Sequence, residues 1–168
     1  YYHKLVEKDT NFVVNESGEL TNYLGDMARF KVPEKVNGKT VVGIDAGAFK
    51  NNKNIEAVYL PDTCITIKDS AFYGCTNLII ISGQGVESIG AYAFYATAIE
   101  SLTDEHFPKL KEIDRYAFCL TDKLKENMSN DFNTTNAITT IFKLTKLINT
   151  FTRQKDIDVK KLQDAMKA

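Results

Sequence analysis

Apolar positions in this chain follow a repeating block pattern, not the period of one long helix or strand. The pattern Ile-x-x-x-Ala-Phe occurs four times, at Ile44 to Phe49, Ile67 to Phe72, Ile89 to Phe94 and Ile113 to Phe118. The four phenylalanines lie 23, 22 and 24 residues apart. A period of roughly 20–30 residues with one apolar pattern per copy marks a solenoid of stacked coils. A lone coil has no second layer to bury its apolar face against, so its neighbours must supply one.

The second copy shows how one coil is built. Ile55, Val58 and Leu60 predict a strand, and Pro61 ends it because proline cannot donate to a ladder. Cys64, Ile65 and Ile67 predict a second short strand. Asp69 is placed to cap a single helical turn carrying Ala71 and Phe72, and Gly74 permits a sharp exit. Stacking such coils puts Phe49, Phe72, Phe94 and Phe118 in one column, an aromatic spine. Ala48, Ala71, Ala93 and Ala117 form a second column, where only a small side chain fits. The third and fourth copies replace Gly-Cys with Ala96-Thr97 and Leu120-Thr121, where coil shape is expected to depart from the others.

An open solenoid exposes its core at both ends and needs caps. Phe12-Val13-Val14, a turn near Ser17-Gly18, then Leu20, Tyr23 and Leu24 predict a hairpin at the N-terminal end. Met27 to Pro33 aligns with Ile55 to Pro61 as the first solenoid strand. After Leu124 the repeat stops. Ile138, Ile141, Phe142, Thr145 and Ile148 fall on one helical stripe, and a second short helix is expected from Asp158. These readings divide the chain into a hairpin cap over 1–31, a solenoid over 32–127 and a helical cap or linker over 128–168.

Composition narrows the function classes. Hydrophobic content of 43% and charged content of 26% are ordinary for a globular chain. A net charge of −1 gives no electrostatic case for nucleic acid. Residues 1–124 balance to −4 and residues 125–168 to +3. No apolar run is long enough to cross a membrane. The start at Tyr1-Tyr2 reads as a mature or excised fragment. Cys64, Cys75 and Cys119 form no even disulfide set. The first two fall at interior positions, where cysteine acts as a small hydrophobe.

The run Leu60-Pro61-Asp62, Ile67, Ala71-Phe72, Gly74-Cys75 and Leu78, with Val32 to Ile44 ahead of it, resembles the BspA-type leucine-rich repeat of bacterial surface proteins. The resemblance covers about Phe30 to Leu124. It implies a right-handed, β-rich leucine-rich-repeat solenoid of about four coils on a cell-surface or secreted protein.

Chemistry-bearing patterns are sparse. Asp104, Glu105 and His106 are adjacent but lack zinc-ligand spacing. No G-x-S-x-G elbow or phosphate loop occurs, so neither an enzyme nor a cofactor is expected. Three Asn-x-Ser/Thr patterns, at Asn15, Asn127 and Asn133, arise readily in an Asn-rich chain. Alignment of the coils stacks Ala28, Glu56, Ile79, Glu100 and Lys125 in one outward column. Arg29, Ala57, Ile80, Ser101 and Glu126 fill the next, and Lys31, Tyr59, Ser82 and Thr103 a third. Ile79 and Ile80 beside Tyr59 are apolar on a polar face. With Glu56 and Lys31 they are the candidate ligand-binding residues. A protein partner is expected, with no nucleic acid and no membrane insertion. A ligand-free structural spacer and a carbohydrate-binding module are the alternatives, the last resting on Tyr73, Tyr92, Tyr95 and Tyr116.

Overall fold

The structure, a computed structural model, describes residues 7–103 and 105–121. Four coils stack in register; the first three contribute to all three ladders that run along the stack, and the fourth to the second and third. The first ladder is the parallel sheet β3 (Arg29–Lys31), β7 (Ala57–Leu60) and β9 (Ile80–Gly83). The second is a six-stranded sheet. In it, β6 (Gly43–Ile44), β8 (Thr66–Ile67), β10 (Ser88–Ile89) and β11 (Glu112–Ile113) follow one another in parallel. Strands β1 (Phe12–Val14) and β2 (Glu19–Tyr23) pair antiparallel, and β2 joins β6 with Leu20 opposite Ile44. The N-terminal hairpin thus extends the second sheet past the first coil. Two short strands, β4 (Lys35–Val36) and β5 (Lys39–Thr40), make a further hairpin inside the first coil. Asn37 and Gly38 have φ of 50° and 78° at its tip, the left-handed pair a tight hairpin turn favours.

The third ladder corrects the expectation of a capped helical turn. Around Phe72, the amides of Ala71, Tyr73 and Cys75 bond three residues back within the coil. The alternate amides of Ser70, Phe72 and Gly74 instead reach Ala91, Ala93 and Tyr95 of the next coil, at 2.8–2.9 Å. The same three-rung pattern links Gly47, Phe49 and Asn51 to the second coil, and Tyr92, Phe94 and Ala96 to the fourth. Alternating bonds need alternating backbone. Residues two before and two after each spine phenylalanine are left-handed: Gly47 and Asn51, Ser70 and Gly74, Tyr92 and Ala96, Tyr116 and Leu120. The Asp69 carboxylate does accept an amide, but from Ala91 of the next coil at 2.9 Å.

Coils three and four keep this shape despite their altered sequence. Ala96 and Leu120 hold φ of 55° and 57° where Gly74 holds 70°. Thr97 and Thr121 are buried in the place of Cys75, their hydroxyls donating to the Phe94 and Phe118 carbonyls. The Cys75 thiol is likewise satisfied, by the Phe49 carbonyl.

The interior is an aromatic column. Phe49, Phe72, Phe94 and Phe118 stack with centroids 4.7, 5.3 and 5.0 Å apart and nearly parallel planes. At the N-terminal end Phe30, Tyr23 and Phe12 carry the column into the hairpin. Ala48, Ala71, Ala93 and Ala117 are all buried beside it, as are Cys64 and Cys75. Glu7 closes this end with a buried carboxylate that accepts from the Tyr23 hydroxyl, the Asn11 side-chain amide and the Lys8 amide. The described residues contain one 3-10 turn, Asp9–Asn11, and no α-helix. The helices expected over 128–168, and the outward positions Lys125 and Glu126, lie outside the described residues.

Candidate functional site

The face carrying the sequence-derived candidates is the outer side of the three-stranded sheet. Register sets it: Arg29, Ala57 and Ile80 are neighbours across the strands, as are Lys31, Tyr59 and Ser82. The inward residues between them, Phe30, Val58 and Ile81, are buried. Lys31, Tyr59 and Ile80 therefore share one surface. Glu56 and Ile79 sit one residue before the regular pairing. There the Glu56 carbonyl accepts both the Ile79 and the Ile80 amides, at 2.8 and 3.1 Å, and the Ala28 carbonyl does the same for Glu56 and Ala57. The regular pairing, and with it the alternation of faces, begins only after this shared acceptor.

Ile79, Ile80 and Tyr59 are each half-buried, so they form a low apolar shelf and not a protruding one. Ala57 is buried between Arg29 and Ile80. Glu56 is tied to Arg29 at 2.9 Å, an exposed pair that orients both side chains but adds little stability. Lys31 is exposed beside Tyr59.

The tyrosines form a corner of their own. Tyr73 and Tyr95 stack at 4.7 Å and 5°, and Tyr92 and Tyr116 at 5.2 Å and 24°. Tyr92 and Tyr95 meet at 5.9 Å and 57°, joining the two stacks. The Lys50 ammonium sits over the other face of Tyr73, 5.2 Å from its centroid. Burial, then the neighbouring phenols and Cys119, hold the Tyr95 hydroxyl above the usual phenol range. The faces of Tyr73, Tyr92 and Tyr95 meet other rings or Lys50, whereas a sugar platform needs a bare face; Tyr116 is the exposed member, at 58%. This arrangement favours packing between coils.

A third feature was not read from the sequence. An open groove of about 390 Å³ crosses the outer face of the six-stranded sheet over Ser88 and Gly90. Its origin is register: Ser88 lies between Thr66 and Glu112, and Gly90 follows one position past the aligned Ile67, Ile89 and Ile113. Small outward residues in coil three between longer ones leave the dent. Lys68 on its wall is held by Glu19 at 2.6 Å and Asp45 at 3.2 Å, which raises its ammonium pKa. Hydrogen bonds from Lys68 and Asn15 lower that of the Glu19 carboxyl. The signal for the groove was the Ser-x-Gly at the outward positions of copy three.

The described residues contain no group of three His, Cys, Asp or Glu able to hold a metal. His106 accepts the Thr103 amide on Nδ1, and Asp104 lies outside the described residues. Burial pushes the Cys64 and Cys75 thiols up to about 12, the opposite of activation. Asn15 has both side-chain atoms engaged, with the Ser17 and Glu19 amides and the Glu19 carboxylate.

A match to the BspA type leucine rich repeat region, in six copies, spans residues 42–165. The chain belongs to this BspA-type leucine-rich repeat family. A leucine rich cell surface protein from Faecalibacterium prausnitzii is similar at 29% identity and a TM-score of 0.51, over 64% of this chain and 31% of that one. The T. pallidum leucine rich repeat protein shares the fold at 24% identity and a TM-score of 0.51, over 71% of this chain and 66% of that one. The BspA-type chain thus spans about a third of the F. prausnitzii protein. No curated protein matches it. Among the described residues, no helix is long and apolar enough to cross a membrane.

Proposed function

We propose that this BspA-type chain is a non-catalytic recognition module of a cell-surface or secreted bacterial protein. Its ligand is a protein, bound on the outer face of the three-stranded sheet. The observation that carries the reading is the juxtaposition of half-buried Tyr59, Ile79 and Ile80, with Lys31 exposed at one rim and the Arg29–Glu56 pair at the other. An apolar centre with a charged rim is how protein contact sites are built, and a tyrosine at the centre is a frequent anchor. The surface location draws on the F. prausnitzii cell surface protein.

The test is an array of matrix proteins, host-surface proteins and glycans, probed with the wild type and a Tyr59→Ala, Ile79→Ser, Ile80→Ser variant. Binding to a protein that disappears in the variant, at unchanged melting temperature, is expected. A second reading, a spacer that binds nothing specific, is favoured by one observation: the chain spans only 31% of the similar cell surface protein. Absence of any binder at micromolar concentration would establish it over the first.

A further inference from the structure

We propose that the tyrosine corner is an oxidative cross-linking site, at which one-electron oxidation joins Tyr92 to Tyr116 and ties the third coil to the fourth. The two rings stack at 5.2 Å across the coil interface. Their backbones are pinned in equivalent left-handed positions, both with φ of 57°, and the Tyr92 amide donates to Arg115, the residue before Tyr116. Two groups held this close react as if at very high concentration. Tyr116 is 58% exposed, so its ring lies open to an oxidant from solvent.

The corner also gathers oxidising equivalents. Tyr95 touches Tyr92 at 5.9 Å and Tyr73 touches Tyr95 at 4.7 Å, so a radical formed on any of the four rings has a contact path to the pair. Each phenol gives up one electron and one proton to become a phenoxyl radical. The two radicals join ortho carbon to ortho carbon, and the hydrogen on each joined carbon moves to the oxygen, restoring two phenols. One carbon–carbon bond forms and two hydrogen atoms are lost. Hydrogen peroxide, acting through a haem peroxidase, accepts them and is reduced to two waters. Cys119 is a partly exposed thiol within electrostatic reach of Tyr95 and is the internal competitor, since a thiol reduces a phenoxyl radical.

The experiment treats the full chain, dilute, with peroxidase and limiting hydrogen peroxide, in the wild type and in Cys119→Ala. Expected is monomeric product with dityrosine emission. Its digest should contain a peptide joining Tyr92 to Tyr116 that lacks two hydrogens, and its melting temperature should rise. Tyr116→Phe should lose all three signals, and Tyr73→Phe should keep them. Emission confined to covalent dimers, a bond mapped to other tyrosines, or tyrosine loss with no cross-link in Cys119→Ala would each overturn the assignment.

Discussion

Each spine phenylalanine is flanked two residues away, on both sides, by left-handed backbone. Glycine adopts that conformation freely, while other residues strain by roughly 1–2 kcal/mol. Gly74 meets the requirement without strain, and a Cβ there would fall 2.3 Å from the Asn51 Oδ1. Ala96 and Leu120 occupy the same position with side chains. Ala96→Gly is therefore expected to raise stability by up to about 1 kcal/mol, and Gly74→Ala to lower it by more, both read from urea unfolding. Cys75→Thr should be close to neutral, because Thr97 and Thr121 already fill the equivalent place with a satisfied hydroxyl.

At the scale of elements, the hairpin and the corner ladder behave differently. The hairpin is sealed by Glu7. Burial would raise that carboxyl, but hydrogen bonds from Tyr23, Lys8 and Asn11 outweigh it and hold the group below its ordinary value of 4.5. A carboxyl depressed in the folded state contributes stability above its ordinary value, and loses it as pH falls through the folded one. Glu7→Gln should thus be less stable than the wild type at pH about 7, and the gap should close on acidification to about pH 3. Unfolding midpoints at the two pH values measure it; a constant gap would show that the carboxylate charge is not what seals the hairpin. The solenoid strands and the N-terminal hairpin were legible because their apolar residues alternate and break at Pro61 and Ser17-Gly18. The corner was misread because Asp69 followed by Ala71-Phe72 has the local pattern of a capped turn. Whether an amide finds a carbonyl in its own coil or in the next is not local information. Nor is the left-handed backbone at Tyr92, Tyr116 and Leu120, residue types that give no hint of it. The Asn37-Gly38 hairpin is written in its two turn residues, a pair that favours left-handed backbone. Of the candidate site, the alignment of Arg29 with Ala57 and Ile80 and of Lys31 with Tyr59 and Ser82 was legible, but the shared carbonyl at Glu56 was not, since it depends on the neighbouring strand.

For the molecule as a whole, the spine joins coils that have no separate cores. Phe72 is fully buried with a ring on each face, so Phe72→Ala is expected to cost about 3–5 kcal/mol. Phe118 is only partly buried, and Phe118→Ala should cost less. Calorimetry on the two variants checks the order. Equal losses would mean that the fourth coil is held as firmly as the second.

The three rungs at each of the three described interfaces share one direction: each amide donates towards the following coil. Such bonds lie along the axis of the stack, so tension applied between its ends loads the interfaces in series, not side by side. A tether of this kind yields by peeling, one interface at a time. With 22 to 24 residues between successive spine phenylalanines, each coil that lets go lengthens the chain by roughly 70–85 Å. Under pull, the protein should stretch in even steps at modest force and re-coil when the load is released.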